Sequence, residues 1–244
     1  MAVYTVRDAE SYGHALGIIL VDVRTPFIPG DVGNASTYRY PVVYRTTKDV
    51  SLERLINQGD KSMAPAVIAT ARELEKMGVR AISSDCGYML HFQKEVADAV
   101  SVPVMLSSLL QLPMLEAMLG RTQKIGVICA NKPRLTPELL ALSGAQDQNR
   151  LVVYGLEACP AFRSPILDEE PVLDAGLVEQ EVAGTARALV EAHPDVSRIL
   201  LECSNLPPYA HAVQQATGRP VFDFTTMLDM FVGASFRKPF TGFY

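Results

Sequence analysis

Short apolar runs alternate along the chain with longer stretches in which apolar residues recur at helical spacing. The runs are rich in valine and isoleucine and mostly lack polar alternation, which is typical of strands buried on both faces. Strands are predicted at 16–22, 40–46, 79–84, 102–106, 124–129, 150–155, 197–202 and 220–223, and helices at 60–77, 88–100, 108–119, 135–143, 176–192, 206–217 and 226–236. This alternation predicts an α/β fold with parallel strands covered by helices.

The two halves of the chain repeat one layout around a cysteine. Cys86 and Cys203 each end a predicted strand, and a Pro-Val pair follows 17 positions later in both cases, at Pro103 and Pro220. Further matches are an acid before each cysteine, a glycine in each opening strand and a hydroxyl pair after each Pro-Val strand: Asp85 and Glu202, Gly17 and Gly126, Ser107-Ser108 and Thr225-Thr226. The repeat predicts two similar halves.

The position of the two cysteines points to a ligand site. Open parallel sheets bind ligands beyond the carboxyl ends of their strands, where Cys86 and Cys203 are predicted to lie. Pro207 and Pro208 suit the first turn of a helix that Ser204 or Asn205 would cap, which predicts a lowered thiol pKa at Cys203. The acids before the cysteines, Asp85 and Glu202, are expected to face away as buried supports.

Composition and charge limit the classes of partner and cofactor. The chain has 244 residues, 48% hydrophobic side chains and a formal charge of -5, without a long basic run. The hydrophobic content predicts a large core. Because positive charge is not clustered, neither nucleic acid nor an anionic membrane is expected as a partner. The four widely spaced cysteines form no metal-ligand spacing and the sequence shows no nucleotide fingerprint, so neither a metal nor an organic cofactor is expected. No apolar run approaches the roughly 18 residues of a membrane span, and a cytoplasmic protein is expected.

These features together resemble the aspartate/glutamate racemase superfamily, whose members use two opposed cysteines without pyridoxal phosphate or metal. The resemblance covers roughly residues 15 to 235, and the segments IPGDVGN, 28–34, and ECSNLPPYA, 202–210, resemble one branch of it. It implies two flavodoxin-like lobes related by a pseudo-twofold axis, with the active site in the cleft between them. The expected lobes are 1–108 with 226–244, and 109–225; a homodimer is also implied.

The resemblance identifies Cys86 and Cys203 as the catalytic pair of a cofactor-independent racemase or epimerase acting on a small carboxylate such as an amino acid. One thiol would remove a proton and the other would return one. A maleate isomerase-like cis-trans isomerase of a small diacid, a hydantoin racemase using the same cysteines and a non-catalytic two-lobed binder are the alternatives. The candidate substrate-binding residues are Gly87, Tyr88, Ser107, Ser108, Asn131, Ser204, Asn205 and Arg24.

The glycines of the IPGDVGN segment permit two interpretations. Gly30 and Gly33 could cradle a carboxylate with their backbone N–H groups. The same stretch could equally be an ordinary turn, because proline, glycine and aspartate favour turns and the spacing matches no phosphate loop.

Overall fold

A computed structural model of the chain describes residues 3–6 and 8–243, and within them lie eight strands and eight α-helices. The strands are β1 (Leu16–Leu20), β2 (Val42–Thr46), β3 (Ile82–Ser84), β4 (Val104–Met105), β5 (Lys124–Cys129), β6 (Leu151–Gly155), β7 (Val196–Leu201) and β8 (Val221–Phe222). The α-helices are α1 (Ala64–Lys76), α2 (Gln93–Ala99), α3 (Leu112–Ala117), α4 (Pro137–Leu142), α5 (Pro160–Ile166), α6 (Ala175–Ala192), α7 (Ala210–Thr217) and α8 (Phe224–Ser235).

The strands of the described chain form two parallel four-stranded sheets with the same topology. The first has the order β2-β1-β3-β4 and the second the order β6-β5-β7-β8. Each strand of the second sheet thus takes the place of the strand four earlier. The prediction of an α/β fold with two repeated parallel-sheet lobes is confirmed.

The glycine that opens each half has the same packing role. A Cβ atom on Gly17 would lie 3.1 Å from side-chain atoms of Leu74 and Val79. On Gly126 it would lie 2.8 Å from Leu189 Cδ2 and 3.2 Å from Val196 Cγ1. In both halves the absence of a side chain lets a covering helix lie close to the strand, which is a regular use of glycine beside a sheet.

The segments after β4 and β8 cross to the opposite sheet. Phe224, Met227 and Leu228 of α8 join one buried cluster with Leu16 and Ile18 of β1. Correspondingly, the Ser108 hydroxyl donates to the carbonyl oxygen of Leu201 in β7, 2.9 Å away. The exchange supports the division into residues 1–108 with 226–244 and residues 109–225, which stays a prediction.

All eight predicted strands occur; β5 has the predicted bounds, β7 begins and ends one residue earlier, and the other six are shorter than predicted. Apart from short 3₁₀ turns, two elements of the described chain were not predicted: the π-helix Glu53–Asn57 and helix α5. Helix α5 begins at Pro160 and contains Pro165, which sequence rules interpret as a loop, although proline fits the first turn of a helix. Among residues 3–6 and 8–243, no helix has the length and apolarity needed to cross a membrane.

Candidate active site

The two halves bring their cysteines to one cavity. Cys86 follows β3 and Cys203 follows β7, and each thiol residue is buried, with 7% of its surface exposed. Both line a cavity that encloses about 430 Å³ between protein atoms, counting the part open to solvent. Because β3 and β7 hold equivalent positions in their sheets, the paired cysteines follow directly from the repeated topology.

The cavity wall is mostly apolar and includes acidic but not basic side chains. It is formed by Val21, Val23, Thr25, Phe27, Leu52, Ile56, Asp85, Cys86, Gly87, Tyr88, Ala130, Ile166, Leu167, Glu202, Cys203, Ser204 and Asn205. Within the part of the chain that the structure describes, this wall contains no lysine, arginine or histidine. A cationic group in the cavity would therefore have to come with a ligand.

Burial raises the pKa of both thiols well above its ordinary value, and the nearby Glu202 carboxyl raises it further. The expectation of a lowered pKa at Cys203 is wrong. The helix after Cys203 begins with a 3₁₀ turn, Pro207–Tyr209, and its N-cap residue is Leu206, which provides no side-chain cap. One backbone N–H, from Asn205, faces the Cys203 sulfur and lowers its pKa, but desolvation dominates.

Ser204 and Asn205 line the cavity but do not cap the helix. The Ser204 hydroxyl donates to the Asp85 carbonyl oxygen in the other half. The Cys203 thiol donates to Asn205 Oδ1 at 3.4 Å, and Asn205 Nδ2 donates to Asp31 Oδ2 at 2.6 Å. These contacts join the two halves beside the second cysteine.

The acids that precede the cysteines are buried, as expected, yet both contribute to the cavity wall. Asp85 accepts a hydrogen bond from the Val21 N–H at 2.9 Å, and burial raises its pKa to about 8. Burial likewise raises the pKa of Glu202 to about 8. Near neutral pH both carboxyl groups are thus largely protonated.

Glu202 occupies a tight position between the halves. Its Oε2 accepts a long hydrogen bond of 3.4 Å from the Ala130 N–H, while Oε1 is buried without a partner among the described residues. A Cβ atom on Gly87 would lie 1.9 Å from Oε1, so only glycine fits after Cys86. Gly87, which follows the first cysteine, therefore leaves the space that the Glu202 side chain, before the second cysteine, occupies.

The IPGDVGN segment packs against the ECSNLPPYA segment of the other half. The Val32 N–H donates to the Ser204 carbonyl oxygen at 3.2 Å, and a Cβ on Gly30 would lie 2.9 Å from Pro208 Cα. Gly30, with φ +100°, donates its N–H to Thr37 Oγ1, and Gly33 donates to Asp31 Oδ1. Both glycine N–H groups are thereby used, which favours the turn interpretation over a carboxylate cradle.

Asp31 is the buried acid at the centre of this contact. Its side chain is 1% exposed, and burial raises its pKa to about 7, against the lowering effect of the hydrogen bonds from Gly33 and Asn205. Sequence reasoning did not identify Asp31 as a site residue. The available signal was an acid inside a Pro-Gly turn, which is common at exposed turns and so gave no reason to expect burial.

The remaining predicted binding residues divide into two groups. Gly87 and Tyr88 line the cavity, and the Tyr88 hydroxyl donates to the Asn131 carbonyl oxygen at 2.7 Å. Four others lie outside the cavity wall: Ser107 caps the 3₁₀ helix Ser108–Gln111, Ser108 bonds to the end of β7, Asn131 caps the turn after β5, and Arg24 is exposed. Their binding of substrate stays a prediction.

Apolar wall residues were missed because they lie in connections without a regular pattern. Leu52 and Ile56 come from the segment of the π-helix Glu53–Asn57, and Ile166 and Leu167 from the end of α5. In the described segments, 3–6 and 8–243, no group of three or more histidine, cysteine or acidic side chains has the arrangement of a metal site.

Comparisons with known proteins agree with this geometry. A family model described as Asp/Glu/Hydantoin racemase matches residues 38–228. A protein of Durusdinium sp. clade D named dimethylsulfoniopropionate lyase is 33% identical over 242 residues, covering 96% of this chain and 79% of that protein. Dimethylsulfoniopropionate lyase 5 of Emiliania huxleyi (strain CCMP1516) is 31% identical over 241 residues, and the match covers 93% of this chain and 47% of the lyase.

A solved structure shares the fold. Allantoin racemase from Pseudomonas fluorescens has a TM-score of 0.64 and 18% sequence identity, covering 90% of this chain and 92% of that chain. At this identity the likeness extends to the fold alone.

Proposed function

Because the chain belongs to the Asp/Glu/hydantoin racemase family, we propose that it is an enzyme that removes the proton next to the carboxylate of a small substrate, with Cys86 or Cys203 as the base. We propose further that the substrate carries a cationic leaving group on its β-carbon and that elimination follows. Two relatives that match over more than nine-tenths of this chain are named dimethylsulfoniopropionate lyases, which supports this reaction class.

The observation that carries the proposal is the pair of buried thiols in a cavity to whose wall the described residues contribute no basic side chain. Burial and Glu202 both oppose formation of a thiolate. A substrate with a sulfonium or similar cation would supply the missing positive charge and lower the thiol pKa as it binds. The substrate would thus activate its own base, while the empty site stays protonated.

The proposed step is balanced without a cofactor. The thiolate takes the α-proton, the electrons of that C–H bond form the new double bond, and the electrons of the β-carbon–sulfur bond leave with a neutral sulfide. A sulfonium propionate and a thiolate therefore give an unsaturated carboxylate, a sulfide and a thiol. The thiol then returns its proton to solvent.

A neighbouring polar cleft supports a cationic substrate. It shares Leu52, Ile56 and Leu167 with the cavity. Its charged side chains are Glu53, Glu157, Arg163, Asp168 and Glu169, and the only base among them, Arg163, pairs with Asp168 at 2.9 Å. Four carboxyl groups beside one guanidinium in this lining would attract a cation and disfavour a simple diacid.

The test is incubation of the protein with dimethylsulfoniopropionate, with release of dimethyl sulfide measured in the headspace and the unsaturated acid measured by NMR. We expect turnover by the wild-type protein and at least a 100-fold loss in Cys86→Ser or Cys203→Ser. Cys159→Ser is the matched control, because Cys159 is partly exposed and lies outside the cavity wall. An inactive wild-type protein, or two active cysteine variants, would overturn the proposal.

The second candidate is the racemase or epimerase expected from the resemblance. The equivalent positions of Cys86 and Cys203 at the ends of β3 and β7 favour it, because inversion needs a base on each face of the substrate carbon. Small carboxylic acids incubated in D2O distinguish the candidates. Inversion with α-deuterium incorporation supports racemisation, whereas loss of a β-substituent supports elimination.

A further inference from the structure

The two cysteines occupy equivalent positions but have different hydrogen-bond partners. The residue two positions after each cysteine contacts the connection that follows the other half's opening strand. Tyr88 donates to the backbone carbonyl oxygen of Asn131, which follows β5. Asn205 donates instead to the side chain of Asp31, which follows β1, and its Oδ1 also accepts from the Cys203 thiol.

The connected atoms form a chain from a buried carboxyl group to one thiol. Asp31 accepts from the Gly33 N–H through Oδ1 at 2.8 Å and from Asn205 Nδ2 through Oδ2 at 2.6 Å. An ionised carboxyl group can only accept, so it fixes the amide with its nitrogen toward Asp31 and its oxygen toward Cys203. The amide oxygen can only accept a hydrogen bond. It therefore stabilises the protonated form of Cys203, whose S–H can donate one.

We infer that Asp31 is a positioning residue for Cys203: acting through Asn205, it holds this thiol protonated and so makes the two cysteines chemically different. The inference rests on the proposed function only for its role in the reaction, where Cys86 would be the thiol free to act as base. Cys86 is faced by the backbone N–H groups of Tyr88 and Met89, whereas one backbone N–H, from Asn205, faces Cys203; these groups partly offset the rise in thiol pKa that burial causes.

The surroundings of Asp31 leave few competing charges. The titratable groups that face it are Tyr38, Tyr44, Asp85, Cys203 and Tyr209. Burial raises the pKa of all three tyrosines, which remain neutral near pH 7. Asp85 is the one acid among these groups, and it raises the pKa of Cys86, whereas Asp31 raises that of Cys203. The two acids therefore act on different thiols.

Alkylation of the complete protein without substrate tests the inference independently of the reaction. The probe is iodoacetamide, with modification of Cys86 and Cys203 followed by mass spectrometry between pH 6 and 9. In Asp31→Asn we expect Cys203 to react about tenfold faster at pH 7.5, equivalent to a pKa lower by about one unit. The Cys86 rate should change less than twofold, because a general loosening of the fold would expose both thiols.

Three further variants make the result decisive. In Asn205→Ala the alkylation of Cys203 should also be faster. If Asp31 acts through Asn205, the double variant that also carries Asp31→Asn should show little further increase in this rate. Asp223→Asn is the matched control, because Asp223 is a buried acid that caps α8 and does not contact a cysteine through any described hydrogen bond. An unchanged Cys203 rate in Asp31→Asn, or equal acceleration of both thiols, would overturn the inference. If it holds but no substrate is turned over, only the proposed function fails.

Discussion

At the scale of single residues, the site is defined by acids and thiols whose pKa values are raised by burial. Asp31, Asp85 and Glu202 have pKa values raised to about 7, 8 and 8 by desolvation, and the two thiols are raised as well. Such a cluster is typical of a functional site, since burying a carboxyl group costs free energy. A cavity that collects proton donors is suited to chemistry in which protons move to and from carbon.

The raised pKa of Glu202 predicts how stability changes with pH. The folded state holds a proton on Glu202 up to about pH 8, whereas the unfolded chain loses it near the ordinary glutamate pKa of 4.5. The contribution of this proton to the free energy of unfolding is therefore fully present below pH 4.5. It is lost as the pH rises toward 8, by up to about 1.4 kcal/mol per pH unit. Glu202→Gln should remove this part of the pH dependence.

Urea unfolding at pH 5.5, 6.5 and 7.5 measures the effect. The free energy of unfolding of Glu202→Gln relative to wild type should rise with pH. Glu95→Gln changes an exposed acid on α2, so its free energy of unfolding should have the same pH dependence as that of the wild type. A constant difference between Glu202→Gln and wild type would contradict the assignment.

At the scale of elements, close contact between strand and helix positions the cysteines. Strands β1 and β5 each hold a glycine against their covering helix, and the neighbouring strands β3 and β7 carry the chain to Cys86 and Cys203. A sheet displaced by a side chain at either glycine would also move the end of the next strand. The glycines and the two helices were predicted from the sequence, but the contacts between them were not.

Gly126→Ala tests this packing. The new methyl group would meet Leu189 Cδ2 at 2.8 Å, and overpacking of this kind destabilises by about 1–3 kcal/mol. Gly184→Ala is the control, because Gly184 lies within α6 with open space around its Cα and should be stabilised by about 0.5–1 kcal/mol. Thermal and urea unfolding of both variants measure the difference. Equal stability of the two variants would contradict the role assigned to Gly126.

At the scale of the whole molecule, the site exists only where the halves meet. The Ser204 hydroxyl, the Val32 N–H and the Asn205 amide each bond across the halves beside Cys203. A change in the relative position of the lobes would therefore alter the cavity and the environment of the second thiol together.

The resemblance also implies a homodimer, which stays a prediction. Light scattering coupled to size-exclusion chromatography should give about twice the chain mass of 26.6 kDa across a tenfold range of protein concentration. A mass equal to that of one chain throughout this range would contradict it.

The sequence by itself determined the α/β class, the eight strands and the two strand-end cysteines, because periodicity and repetition are local properties of a chain. The duplicated spacing from Cys86 to Pro103 and from Cys203 to Pro220 was enough to anticipate two equivalent sheets. These features depend on backbone pairing and on the burial of short apolar runs, both of which the order of residues records directly.

Only the tertiary structure decided the electrostatics and the walls of the site. The thiol pKa, expected to be low from a helix terminus, is high because the folded chain removes water and places Glu202 beside both cysteines. Asp31 became a site residue because its turn packs against the opposite half, a contact between positions 174 residues apart. Desolvation and long-range contacts depend on where the chain folds back, and no local pattern carries that information.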